Sequence, residues 1–307
     1  MSSRATLPTR PALAAAPAAA AATGAEQTLA TARAALAQAA PALGLAPGDA
    51  AAARVVQVLS TVVFEVAGGA GRLAVKVYPG DVDAARLQAV ARVLPAAGEV
   101  WAAQVAGPVV TASGTVTAYP WLEQSPPVGW GEIGALLRRW HDVPVDLAQL
   151  PRWTPLVRVP DQVAAYRAAP GADAELAELA LRTRRILLAR VAELRSGLGV
   201  GAVHGDLSPS NVMRRDGRPV LIDGDFVAAG PREYDLVSAA LRRERGEIDE
   251  ADYLEFCSAY GYDVRQWDGL GLVEEICSLG AVTFGMWCAA QRLEDTSWVA
   301  SALARWC

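Results

Sequence analysis

Lysine is almost missing from this chain. Of 28 basic residues, 27 are arginine and one, Lys76, is lysine. Histidine occurs twice, at His141 and His204. The four cysteines, Cys257, Cys277, Cys288 and Cys307, are not in Cys-x-x-Cys spacing and have no histidine at metal-ligand spacing. That excludes a thiolate metal site and a disulfide-stapled mini-protein, and it suits a cytoplasmic, reducing setting. No apolar stretch of about 18 residues runs free of charges and breakers, so no membrane partner is expected. The net charge of -5 provides no cationic face for a nucleic-acid backbone.

What is present is a chain of 307 residues, 52% hydrophobic, long enough for one two-lobed domain or two small ones. Alanine fills 21 of the first 50 positions, with prolines between. Residues 1–24 read as a disordered tail, and Pro17 and the lack of Leu, Ile and Val make the alanine run a poor secretory signal. One amphipathic helix is expected over 26–40. Residues 54–78 then switch to three β-branched runs, which predict a three-stranded meander. A helix over 81–94, with Asp81 and Asp83 in its first turn, and strands over 101–110 and 115–119 complete a small lobe. Beyond Ser125-Pro126-Pro127 the pattern is helical at 131–141, 161–169 and 174–198, and again from Glu233 onward. Short strand-like pieces flank 201–222. The expected fold class is α+β, with a β lobe over 25–122 and a mostly helical lobe over 123–307.

Two segments carry chemistry. The first is His204-Gly205-Asp206-Leu207-Ser208-Pro209-Ser210-Asn211, and the second is Ile222-Asp223-Gly224-Asp225 at the end of an apolar strand. Phosphoryl transfer needs a carboxylate to orient the attacking hydroxyl, oxygen ligands for Mg2+, and a cation on the nucleotide phosphates. Asp206 supplies the first, Asn211 and Asp223 the second, and Lys76 the third. A compact ammonium retained in so arginine-rich a chain marks a site that a guanidinium fork does not fit. The sparse pair Asn211 and Asp223 suits Mg2+, which keeps waters and phosphate oxygens in its shell. Read alone, Asp206 could be a turn former, Asn211 a cap and Asp223 a strand-end residue; their combined spacing favours the site.

With Tyr234-Asp235-Leu236 downstream and Leu137-Arg138-Arg139-Trp140-His141-Asp142-Val143-Pro144 upstream, these motifs resemble the aminoglycoside phosphotransferase and choline kinase-like family, from Val55 to the C-terminus. The resemblance implies a protein-kinase-like two-lobed fold, with ATP and Mg2+ as cofactors and GTP not excluded. It implies that Asp206 is the catalytic base and that Asn211 and Asp223 hold the metal. Lys76 would contact the α- and β-phosphates, with His204 and Asp235 bracing the loop. Backbone atoms at Pro120, Trp121 and Leu122 would bind adenine, and Ser60-Thr61 stands where protein kinases carry a glycine-rich loop. The helix that should offer Lys76 a glutamate has none; Gln88 aligns there, with Asp83 as a fallback. His141 reads as a structural helix-end histidine and Asp225 as a solvated turn carboxylate.

Only twelve positions separate Asp223 from Asp235, too few for a protein-kinase activation segment, so the acceptor is expected to be a small molecule. From Leu241 to Cys307 there are twelve acidic residues against six arginines. An acidic lobe would attract an aminoglycoside or another aminated natural product, with Asp263, Asp268, Glu274 and Glu275 as its wall; a solvated helix face is the plain alternative. Alanine- and arginine-rich usage suggests a high-GC bacterium, and hence antibiotic resistance or natural-product biosynthesis. Other readings are a metabolite kinase acting on a sugar, choline or homoserine, and a nucleotide-binding pseudokinase. The oligomeric state is left between monomer and homodimer.

Overall fold

The computed structural model describes residues 18–69, 71–80, 83–123 and 126–307. Helices α1 (Ala18–Ala39) and α2 (Pro47–Ala51) precede strands β1 (Arg54–Val58), β2 (Val62–Gly68) and β3 (Gly71–Pro79). Next come α3 (Ala84–Val93), β4 (Ala106–Thr111), β5 (Gly114–Pro120), α4 (Trp130–His141), α5 (Val159–Ala168) and α6 (Ala174–Val191). Four short strands follow: β6 (Val200–Val203), β7 (Val212–Arg215), β8 (Arg218–Leu221) and β9 (Ala228–Pro231). The chain ends in α7 (Glu233–Glu244), α8 (Glu250–Tyr260), α9 (Leu270–Arg292) and α10 (Trp298–Leu303). The class is α+β, as expected.

Several boundaries differ from the expectation. Helix α1 begins at Ala18, inside the stretch read as a tail, while residues 1–17 lie outside the described residues. Asp81 also lies outside them; Asp83 is the N-cap of α3, accepting from the Arg86 N–H at 3.0 Å. Helix α6 stops at Val191 instead of continuing to 198, and Gly197 and Gly199, the latter at φ 79°, keep the segment before β6 out of helix. The buried Glu233 carboxylate then takes the backbone N–H groups of Gly197 and Leu198 at 2.6 and 2.8 Å. Helix α9 is long and apolar enough by length and composition to cross a membrane, although it carries Glu274, Glu275 and Arg292. Half of its apolar stretch is buried inside the protein.

Packing divides the chain into two compact units. One comprises Gln27–Trp153 and Arg195–Val273, so the expected lobe boundary near 122 falls within it. Its larger sheet has the order β1-β2-β3-β5-β4, all neighbours antiparallel. Period-2 alternation gives that sheet two faces. Val62, Phe64, Val66, Val75, Val77, Val116 and Ala118 form one, buried against Ala32, Ala35, Leu36 and Ala39 of α1. Lys76 lies between Val75 and Val77 and therefore belongs to the other face, in register with Val63 on β2 and Thr117 on β5. The remainder of this unit holds two two-stranded ribbons, β6-β9 and β7-β8, with α4, α7 and α8. Trp101 pairs with Leu221 of β8 as an isolated parallel bridge, and its ring stacks on His204 at 5.1 Å.

Helices α4 and α8 meet closely at Gly134. A Cβ there would press into the Phe256 carbonyl oxygen, which is backbone and has little room to yield. Gly134→Ala is expected to cost about 1–3 kcal/mol through overpacking. A drop in the denaturant midpoint at unchanged m-value checks this, and unaltered stability counts against so close a helix approach.

The second unit comprises Thr154–Leu194 and Glu274–Cys307, with residues 18–26 among the described ones. Asp173 caps α6 by accepting from Glu175 and Leu176 N–H groups. Thr283 of α9 donates to Gln162 of α5 at 2.8 Å, and the Trp298 ring of α10 lies against Gly285.

Candidate active site

Chain direction on β3 sets the first component. Residues 76 and 78 share a face by alternation, so the Lys76 ammonium and the Tyr78 ring lie together, 5.3 Å apart. Lys76 Nζ donates to Asp223 Oδ1 at 2.7 Å and to Asp225 Oδ2 at 2.8 Å. The Tyr78 hydroxyl donates to the other oxygen of Asp225. Residues 147 and more positions apart are thus joined through one ammonium.

The second component is the loop between β6 and β7. Gly205 takes φ 80°, and a Cβ there would strike the Phe226 carbonyl oxygen, so only glycine fits. Asp235, in the first turn of α7, is buried at 1% exposure. It accepts from the backbone N–H groups of His204 (2.6 Å) and Gly205 (2.8 Å), and from His141 Nε2 (3.0 Å). His141 Nδ1 meets the Tyr260 hydroxyl at 2.7 Å. His204 Nε2 lies 2.9 Å from the Ile222 carbonyl, and its Nδ1 accepts the Asp206 N–H at 3.2 Å. Asn211 Nδ2 donates to the Asp206 carbonyl at 2.8 Å, closing the loop. Asp206 itself is exposed.

The third component follows β8. Asp223 adopts φ 62°, ψ 65°, a left-handed conformation that costs a non-glycine residue roughly 1 kcal/mol or more. The strain turns the Asp223 side chain toward Lys76, and burial of Gly224 and Asp225 fixes the segment. Burial pushes the Asp225 carboxyl above its usual range, against the pull of Lys76. Burial also acts on Asp223, but there the Lys76 ammonium prevails and holds the carboxyl below its usual range. Burial disfavours the Lys76 charge, yet the two carboxylates outweigh it and keep the ammonium protonated well above its ordinary range. Burial and the Asp225 charge raise the Tyr78 phenol.

One ammonium between two carboxylates leaves this cluster with a net negative charge, which suits a divalent cation. The Asp223 side chain is 33% exposed, and Asn211 engages Asp206 through its amide nitrogen, which leaves the oxygen end as an acceptor. Two oxygen ligands fit Mg2+ completed by phosphate oxygens and water. Among the described residues no group of three or more His, Cys, Asp or Glu could hold a metal ion without such help.

Other expectations are redistributed. Gln88 does not serve Lys76: α3 buries Leu87 and Val90, and the helix phase leaves Gln88 exposed. Asp225 is not a solvated turn residue but is 8% exposed. Ser60 is exposed and Thr61 is buried, in a turn closed by the Leu59 N–H on the Thr61 carbonyl. Trp121 N–H is taken by the Arg72 carbonyl at 3.0 Å and so is not free to donate to adenine. Two of the four residues expected to form an acidic wall are engaged within the protein. Asp263 is held by Arg265 at 2.7 Å and by the Tyr253 hydroxyl, and Glu275 by Arg190 at 2.9 Å. Asp268 is exposed and Glu274 half-buried. Tyr78 and Arg86 went unread in the sequence. Tyr78 was legible, since it shares a face with Lys76; Arg86 reaches backbone carbonyls that no pattern announces.

A family model described as the phosphotransferase enzyme family matches residues 53–271. No curated protein matches the chain. Among solved structures, a spectinomycin phosphotransferase in complex with ADP and spectinomycin aligns at 15% identity and a TM-score of 0.54, over 83% of this chain and 88% of its own. An amicoumacin kinase in complex with AMP-PNP and Ca2+ aligns at 16% identity and 0.57, over 85% and 87%. A choline/ethanolamine kinase family protein from Mesorhizobium loti aligns at 18% identity and 0.56, over 91% and 99%. Identities this low establish a common fold, the protein-kinase-like one.

Proposed function

The chain belongs to the phosphotransferase enzyme family, and from that premise we propose that it moves the γ-phosphate of ATP to a hydroxyl of an aminated small molecule. The observation that carries this reading is the Lys76 ammonium 2.7 Å from Asp223, which joins the sheet to the loop beyond β8. Asp206 orients the acceptor hydroxyl and takes its proton as the new O–P bond forms and the bond to the β-phosphate oxygen breaks. Lys76 binds phosphate oxygens. Asn211 and Asp223 would hold Mg2+, which when bound neutralises phosphate charge. His204 and Asp235 act through the loop that carries Asp206.

An aminated acceptor is supported by the names of the similar structures: spectinomycin, amicoumacin, and choline or ethanolamine. The acidic residues from Leu241 onward support it less than their number suggests. Glu247, Glu250, Asp263, Glu275 and Glu294 are each paired with an arginine. A resistance or biosynthetic role follows from an antibiotic-like acceptor, whereas a choline-like acceptor places the enzyme in metabolism.

The test incubates the purified protein with ATP, Mg2+ and a panel of aminocyclitols, aminoglycosides, choline, ethanolamine, homoserine and simple sugars. ADP is read by a coupled assay and the product by 31P NMR. The expected result is ADP release stoichiometric with a phosphomonoester on one aminated acceptor. Phosphorylation of only an uncharged sugar removes the amine from the proposal. Nucleotide binding without ADP release across the panel favours a pseudokinase.

A further inference from the structure

Helix α3, AARLQAVARV, contains no carboxylate at all, so the countercharge of Lys76 must come from elsewhere. Both oxygens of Asp225 are engaged, one by Lys76 and one by the Tyr78 hydroxyl, and the residue is 8% exposed. Helix α3 contributes instead a guanidinium. Arg86 Nε donates to the Asp225 carbonyl at 3.0 Å and Nη2 to the Val227 carbonyl at 3.2 Å. Next to Asp225, Gly224 packs tightly: a Cβ there would crowd Leu94, Trp101 and Val90 at 3.2–3.5 Å.

We propose that Asp225 is the positioning residue that aims Lys76 at the nucleotide phosphates, with Tyr78 and Arg86 holding Asp225 in place. This deepens the phosphotransferase reading above and rests on it. Asp223 cannot serve both roles alone. Once its carboxylate turns to a metal ion, Lys76 loses one of its two anchors, and Asp225 is the anchor that remains. With both oxygens engaged and the residue 8% exposed, Asp225 is the anchor, and Asp223, 33% exposed, is the one left open to a metal. The usual geometry is thereby inverted: the helix grips the loop, and the loop supplies the acid.

The experiment titrates ADP, with and without Mg2+, into wild type, Lys76→Met, Asp225→Asn and the double variant by calorimetry, alongside ATP kinetics and thermal unfolding. A hydrogen bond to a charged group corresponds to about a 10–100-fold change, so Asp225→Asn should weaken ADP by that factor and raise the KM for ATP. The double variant should bind ADP no more weakly than Lys76→Met, because Asp225 acts through Lys76. Gln88→Glu should leave ADP affinity unchanged. Additive losses, or an Asp225→Asn protein within about twofold of wild type, overturn the proposal while the nucleotide site stands. If Lys76→Met binds ADP as wild type does, the phosphotransferase reading of Lys76 itself falls, and Asp225 with it. Should Asp225→Asn fail to fold, Arg86→Gln and Tyr78→Phe replace it. Each is expected to weaken ADP by roughly 3–10-fold, and unchanged affinity in both overturns the proposal.

Discussion

Asp206→Ala is expected to lower turnover by about 10²–10⁴-fold, the usual worth of a positioned acid–base group. The fold should survive the change. The Asp206 side chain is exposed, and the loop is held by backbone groups: its N–H on His204 and its carbonyl on Asn211. Neither bond is lost on truncation to alanine. Initial rates with the best acceptor, read beside a thermal unfolding curve, separate the two effects. A rate near that of wild type would strip Asp206 of its assigned role. A large fall in the unfolding midpoint would recast it as structural.

Asp235→Ala should act the opposite way, with stability lost first. Its carboxylate is buried and accepts from three donors, the N–H groups of His204 and Gly205 and the ring of His141. Truncation leaves those donors in the interior without an acceptor, at about 1–3 kcal/mol each. A total of roughly 3–5 kcal/mol is expected, as for breaking a buried pair. Since folded domains are stable by about 5–15 kcal/mol, much of the protein should unfold near physiological temperature. Asp235→Asn keeps one oxygen acceptor and should cost less, about 1–3 kcal/mol. Urea midpoints of the two variants check the ranking, and equal midpoints would dismiss the three-donor account.

The two variants probe the parts of the molecule that were most legible. Lys76 could be read because it is the sole lysine and sits on an alternating strand; His204, Asp206, Asn211 and Asp223 because their spacing is local. Local pattern could not reveal Asp225. Its burial depends on Tyr78 and Arg86, 147 and 139 positions away. Gln88 misled because alignment by count ignores helix phase, and the buried positions Leu87, Val90 and Val93 turn it outward. For the acidic C-terminal segment, net charge says nothing of pairing. Glu250 accepts from both Arg243 and Arg265 within the same segment. The helix ends at 191 and at 84 escaped for a similar reason, since glycines and caps compete with periodicity over only a few residues.

The one lysine has a chemical corollary. Every other cationic side chain in the chain is a guanidinium or an imidazole, so an acyl group found on a lysine of this protein can only be on Lys76. Wedged between two carboxylates, that amine is a poor nucleophile at rest. Acylation of it, followed by mass spectrometry, therefore reports how often the cluster opens.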